Sequence, residues 1–290
     1  MVTTLVTSAN VQVNSFLTQG TQLPVVIVDE ATQCTEPQCL IPLCVKPSLL
    51  VLVGDSHQLA ATIQNPHLER QGYGVSLFER LEQNGFPKLS LRIQYRMTPA
   101  VCQWPNDYVY GGDLINSKIV RQPAFTSLFA STAIPAYAFV RVEDGVCEKE
   151  HHSYRNSEEA RVVATLIHKL FTTLPPSQAD YSIGVIAPYV AQVHQIRKAV
   201  DAMLVSFEPE KRFVKISSVD SFQGGESDII ILSCVRSKLK HATQLKSVGF
   251  LSNLRRLNVA LTRAKQALWI VGNPEYLCIN EHWKWACVAV

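Results

Sequence analysis

Asp29 and Glu30 end an apolar run, Pro24-Val25-Val26-Ile27-Val28. Two adjacent carboxylates at a strand end suit phosphoryl transfer. One can hold magnesium through its water shell, and the next can orient and deprotonate the attacking water. A solvated acidic turn would carry the same dipeptide, so the pair is weighed with its neighbours. A second apolar run, Leu49 to Val53, ends in Gly54-Asp55-Ser56-His57-Gln58-Leu59. A Gly-Asp turn followed by Gln58 can set an amide beside a terminal phosphate, and neighbouring strands deliver such loops to one site.

Cations and aromatics follow. Gln94-Tyr95-Arg96-Met97 sets a flat ring, suited to a base, beside a guanidinium fork that matches phosphate oxygens bidentately. Asn258-Val259-Ala260-Leu261-Thr262-Arg263-Ala264-Lys265 reads by itself as a helix with two cations at its end. Between them runs Ser218-Val219-Asp220-Ser221-Phe222-Gln223-Gly224-Gly225-Glu226, whose paired glycines permit a tight backbone turn.

The elements that must position these groups are short apolar strands alternating with helical patterns, which is how a parallel α/β sheet reads. The strands expected are Pro24–Val28, Leu49–Val53, Ile183–Ala187, Val214–Ser217, Ile229–Ser233 and Ala267–Val271, each read as buried. The clearest helices are Ser157–Leu170 and Tyr189–Met203. In such folds the active loops lie at the carboxyl ends of the strands, and the polar signatures are expected there. Asn-Gly and Pro between Gly85 and Leu89 mark a domain boundary. Gln122 to Glu150 lacks periodicity and is expected to carry a surface hairpin or loop. Trp283 and Trp285 mark a packing helix in the last dozen residues.

With 290 residues, 47% of them hydrophobic and 18% charged, the chain has the composition of a soluble two-domain protein. No apolar run reaches the roughly 20 residues that span a bilayer, so no membrane partner is expected. A net charge of +3 confines any nucleic-acid surface to a local groove. Cys34, Cys39 and Cys44 lack the close spacing of zinc ligands. The eight cysteines are therefore read as thiols of a reducing compartment, cytoplasmic or nuclear.

Taken in order, Asp29-Glu30-Ala31 with Gln33, Gly54-Asp55 with Gln58-Leu59, Gln94 to Met97, Ser218 to Asp228 and Asn258 to Lys265 resemble motifs II, III, IV, V and VI of superfamily 1 helicases. The resemblance is to the branch of the nonsense-mediated-decay helicase and senataxin, and it covers residues 3 to 275. It implies P-loop NTPase architecture: a partial first RecA-like domain at 1–88, a complete second one at 89–277 and a tail at 278–290. It also implies ATP and Mg²⁺ as cofactors, with Asp29 holding the metal and Glu30 activating water. Gln58 would sense the γ-phosphate, Arg96 and Arg263 would meet its charge, and Tyr95, Gly224 and Glu226 would hold the nucleotide. The partner implied is single-stranded RNA or DNA, contacted by Thr7, Pro188, Tyr189, Gln192, Ser218 and Thr262. Tyr189 can stack on a base or cap the core. Two departures stand out: Ala60-Ala61 replaces a pair of prolines, and Gly225 stands where many relatives carry a basic residue.

Gly-x-x-x-x-Gly-Lys-Ser/Thr, whose amides and lysine cradle the β- and γ-phosphates, does not occur in the sequence. Asn10 to Gly20 is no disguised form of it. The elements carrying it are expected to precede Met1, making this the later part of an ATP-dependent helicase motor. A truncated paralogue binding nucleic acid or a partner without hydrolysis is the alternative. A P-loop NTPase with no nucleic-acid partner is the third reading.

Overall fold

The computed structural model describes residues 2–10, 23–123, 125, 135–174, 181–205, 213–239 and 248–288. Backbone contacts divide the chain into two compact units, Met1–Ser90 and Leu91–Val290.

In the first unit, β1 (Val25–Val28) pairs in parallel with β2 (Leu49–Leu52), Val26 opposite Leu50 and Val28 opposite Leu52. Helix α1 (Glu36–Leu40) and helix α2 (Leu77–Gln83) both start on capping boxes, Thr35 with Gln38 and Ser76 with Glu79. Val28, Ala31, Cys39 and Leu77 form a small core. The expectation that both strands are buried is corrected. Val25, Ile27 and Leu49 are 45%, 66% and 53% exposed, because among the described residues nothing covers that face of the two-stranded sheet.

The second unit is built on five parallel strands. Its elements in chain order are β3 (Ile93–Gln94), α3 (Pro99–Tyr108), β4 (Ile115–Asn116), β5 (Tyr137–Arg141), β6 (Val146–Glu150), β7 (Ser153–Arg155), α4 (Ser157–Thr173), β8 (Ile183–Ala187), α5 (Val190–Met203), β9 (Val214–Ser218), α6 (Val219–Phe222), β10 (Ser227–Ser233), β11 (Lys238–Leu239), α7 (Leu254–Leu261), β12 (Ala264–Gly272) and α8 (Glu281–Val288). The main sheet has the order β5-β12-β10-β8-β9, with Ile231 opposite both Val185 and Trp269. The centre is apolar on both faces, as a covered parallel sheet requires. Ile229 and Ile231 pack with Val163, Ile167 and Ile196 of α4 and α5. Ile230, Leu232, Leu268 and Ile270 alternate with them and are also fully buried.

The aperiodic stretch expected as surface structure holds more than that. Residues 124 and 126–134 lie outside the described set, but Tyr137–Arg141 is the edge strand of the main sheet. Val146–Glu150 and Ser153–Arg155 form the hairpin. The packing helix near the C-terminus is present: Trp283 is fully buried and its indole donates to the Leu251 carbonyl at 3.0 Å. Among the described residues no helix is long and apolar enough to cross a membrane.

Candidate functional site

In the first unit the two polar loops follow β1 and β2 and touch. Ala31 N–H donates to Val53 O at 2.8 Å. A side chain at Gly54 would press within 3.1 Å of Thr32 Cγ2, so glycine is what lets the loops abut. Glu30 adopts φ 52° and ψ 40°, a left-handed conformation that a non-glycine residue holds only at a cost, of the kind found at functional sites. Its N–H donates to Asp29 Oδ1 at 2.9 Å, which leaves Oδ2 outside that bond, and Gln33 Nε2 steadies its Oε2 at 2.7 Å. Gln58 Nε2 donates to Asp55 Oδ2 at 2.8 Å, so the Gly-Asp turn aims the amide. Asp29 and Glu30 are exposed and Gln58 is half-buried.

In the second unit three distant segments converge. Gln94 Oε1 accepts from the N–H groups of Arg96 and Met97, and its Nε2 donates to Met97 O. That turn leaves Tyr95 61% exposed and points Arg96 inward. Arg96 Nε bonds Glu226 Oε2 at 2.8 Å, and Lys265 Nζ bonds the other oxygen at 3.0 Å. These two cations pull the Glu226 carboxyl below its ordinary range. Arg96 Nη1 also donates to the Thr262 carbonyl at 3.4 Å. Arg263 is 2% exposed, its Nε donating to Val259 O and its Nη2 to Thr262 Oγ1. Gly224 has φ 73°, the turn anticipated for it. A side chain at Gly225 would crowd the Phe222 carbonyl at 3.0 Å.

The expected address of these groups is corrected. Glu226 directly precedes β10 and Arg263 directly precedes β12, so the ion cluster lies at the amino ends of the central strands. Pro188 and Ser218, by contrast, lie at the carboxyl ends of β8 and β9. Helix α7, eight residues and about 12 Å long, leads from Phe250 and Arg256 to Arg263.

The residues expected to touch nucleic acid divide by exposure. Thr7 is exposed, in a turn where Thr4 Oγ1 donates to its hydroxyl, and Pro188 and Ser218 are half-buried. Tyr189, Gln192 and Thr262 are not at the surface. Tyr189 is 4% exposed, its ring 5.2 Å from Tyr154 and 5.6 Å from Phe250, so it caps the core. Gln192 is fully buried, donating to Ser233 Oγ and the Asn156 carbonyl. Thr262 spends its hydroxyl on Asn258 O at 2.8 Å. Tyr189 caps the start of α5, Gln192 lies in its first turn and Thr262 closes α7, where core contacts compete for the same side chains.

The Gln192 network also surrounds a buried acid. Glu159 accepts from Ser233 Oγ at 2.7 Å, Val235 N–H at 2.8 Å and Asn156 Nδ2 at 3.3 Å. Burial outweighs these donors and pushes its carboxyl from 4.5 up to about 7. The neighbouring Cys147 and Cys234 thiols are raised by burial too. Because the folded value lies above the unfolded one, the contribution to stability is fully present below pH 4.5 and is lost as pH rises through 7. At ~1.4 kcal/mol per pH unit the loss is on the order of 3 kcal/mol. Glu159→Gln is expected to flatten that slope, as urea midpoints at pH 4.5, 6 and 8 would show. An unchanged slope would place the titration elsewhere.

Nucleotide and metal can be tested against this donor set. Asp29 offers an exposed carboxylate oxygen for a hydrated Mg²⁺, and Tyr95 offers an exposed ring. Gln223 Nε2 is a buried donor with no hydrogen-bond partner, in the same loop as Glu226. Taken separately, Asp29 in the first unit suits a hydrated Mg²⁺, and Tyr95 with the Gln223–Glu226 loop in the second suits a nucleoside.

A carboxylate pair after one pair of parallel strands and a cation cluster at the strand ends of another parallel sheet match the helicase-type α/β architecture read from the sequence. Comparison with known proteins agrees. The family described as "AAA domain" matches residues 73–275, and a second family of the same description matches residues 1–66. The chain is 38% identical over 261 residues to a regulator of nonsense transcripts 1 homolog of Neurospora crassa, covering 89% of this chain and 23% of that protein. It is 36% identical over 264 residues to the probable helicase MAGATAMA 3 of Arabidopsis thaliana, covering 90% of this chain and 31% of that protein. A solved structure of PRRSV helicase aligns with a TM-score of 0.41 at 17% identity, over 89% of this chain and 37% of that one. The chain belongs to the AAA-domain superfamily 1 helicases related to the nonsense-transcript regulators and senataxin. It spans less than a third of the length of these curated relatives.

Proposed function

We propose that this chain is the later part of an ATP-dependent nucleic-acid helicase motor, coupling ATP hydrolysis to movement along single-stranded RNA or DNA. Residues 1–88 act as the later part of a first RecA-like domain and residues 89–277 as the second. The observation that carries this reading is the cluster of Arg96, Glu226, Thr262, Arg263 and Lys265, assembled from three separate segments. A solvated helix end gives no reason for that convergence.

ATP supplies the phosphoryl group, and Mg²⁺ neutralises charge on its phosphates. Asp29 holds the hydrated metal, and Glu30, kept in place by Gln33, accepts the proton of the attacking water. Gln58 contacts the γ-phosphate region, and Arg96 and Arg263 meet the charge that develops there. Tyr95 stacks on adenine, the Gly224 turn keeps the backbone close to the nucleotide, and Glu226 gives up one cation to accept from the ribose. Thr7, Pro188 and Ser218 face the strand.

Magnesium-dependent ATP turnover with and without single-stranded RNA tests the reading. The 290-residue chain alone is expected to stay at background. Joined after a segment that carries the Gly-x-x-x-x-Gly-Lys-Ser/Thr loop, it is expected to turn over ATP and to be stimulated by the strand. Turnover that ignores RNA and DNA would favour an NTPase without a nucleic-acid partner. Salt-sensitive strand binding that ignores ATP in that longer form would favour a binding module.

A further inference from the structure

The sequence left Tyr189 open between stacking on a base and capping the core. Tyr189 is buried, but the ring resting on it, Phe250, is 50% exposed. Phe250 sits in the 3₁₀ turn Gly249–Ser252, just before α7. The Arg256 guanidinium lies 5.0 Å from its ring centroid. Arg256 reaches Asp220 through Nε at 3.3 Å, and Asp220 is largely exposed, so this ion pair is weak and exchangeable. Pro188, Ser218, Asp220, Phe250, Arg256 and Leu257 line one shallow cavity at the carboxyl ends of β8 and β9.

Its size limits the occupant. About 40 Å³ is open to the centres of water-sized spheres, against the ~10–15 Å³ that one water needs, so the recess is only a few waters in size. A base lies across the rim, over the Phe250 ring in the place that the Arg256 guanidinium holds here. An aromatic ring with a cation beside it is what sequence-tolerant single-strand binding uses, the ring for the base and the cation for its phosphate.

We infer that Phe250, packed on Tyr189 and covered by Arg256, is the stacking platform for one base of the bound strand, and that Arg256 leaves the ring and Asp220 for that nucleotide's phosphate. The inference rests on the strand-binding part of the proposed function and names the residues that deliver it. It also gives α7 a ligand contact at each end, with the strand near Arg256 and the nucleotide near Arg263.

The test is binding of a fluorescent oligouridylate by the 290-residue chain across a salt series, beside an abasic ribose-phosphate oligomer of the same length. Phe250→Leu is expected to weaken oligouridylate binding roughly 5- to 100-fold, the loss of one base stack, without changing the salt slope. Phe250→Tyr is expected to bind as the parent does, which separates loss of the ring from damage to the fold. On the abasic oligomer Phe250→Leu and the parent should bind alike. Arg256→Gln is expected to lower the salt slope by about one on both oligomers. If Phe250→Leu binds oligouridylate like the parent, or weakens the abasic oligomer equally, the platform is overturned. If the parent itself binds no oligouridylate, the strand-binding reading fails first and the platform with it.

Discussion

Arg263→Ala is expected to lower strand-stimulated ATP turnover by on the order of 10³ to 10⁵, the range that follows loss of an arginine finger. The measurement belongs in the longer form, joined to a phosphate-loop segment. Two effects must be separated, because Arg263 is also structural here. Its guanidinium satisfies the Val259 carbonyl and the Thr262 hydroxyl at the end of α7, and it is 2% exposed. Losing those bonds costs roughly 1–3 kcal/mol of stability, which a urea midpoint reads independently of turnover. Arg263→Lys keeps the charge but not the planar fork, so it should hold most of the stability and recover little of the rate. Strand affinity without ATP should stay within a few-fold in both variants. A turnover loss of less than tenfold in Arg263→Ala would move the role to Arg96 and Lys265, the cations that already flank Glu226.

What the sequence revealed and what it hid have physical causes. Ile183–Ala187 and Ile229–Ser233 were legible as strands because both faces of the sheet are covered, so every residue before Ser233 lacks a polar side chain. Val25–Val28 looks the same in sequence yet leaves Ile27 66% exposed, since composition reports that a strand wants cover without reporting whether cover is present. Tyr137–Arg141 was missed because an edge strand beside an aperiodic segment carries little repeating signal. In the site, Arg96 and Glu226 were recognisable as members of ordered motifs, but their ion pair depends on a contact 130 residues apart, and the part played by Lys265 on a second long-range contact to Glu226. Tyr189 and Gln192 show the opposite limit. A polar or aromatic residue at the start of a helix reads as available, while the same position suits bonds to Asn156 and Ser233, as at Gln192, or packing on Tyr154, as at Tyr189. Phe250 had no signal of its own in the sequence. Its exposure follows from its place in the 3₁₀ turn before α7.

Glu30→Gln is expected to cost on the order of 10² to 10⁴ in turnover in the same longer form, the usual contribution of a positioned general base. The substitution is nearly isosteric, and the left-handed backbone at residue 30 is unchanged, so stability and strand binding should follow the parent. The geometry sharpens the expectation. Gln33 Nε2 donates to Glu30 Oε2, and a glutamine can still accept that bond through its amide oxygen. What it cannot do is take a proton. Gln33→Ala should therefore give a smaller loss than Glu30→Gln, because it loosens the carboxylate but leaves it basic. Asp29→Asn should differ in kind, raising the magnesium needed for half-maximal turnover, since its exposed oxygen is assigned to the metal's water shell. If Glu30→Gln keeps more than a tenth of the parent's rate while Asp29→Asn loses nearly all of it, the base is another group. Asp55, which now holds the Gln58 amide at 2.8 Å, is then the carboxylate in the adjoining loop to test.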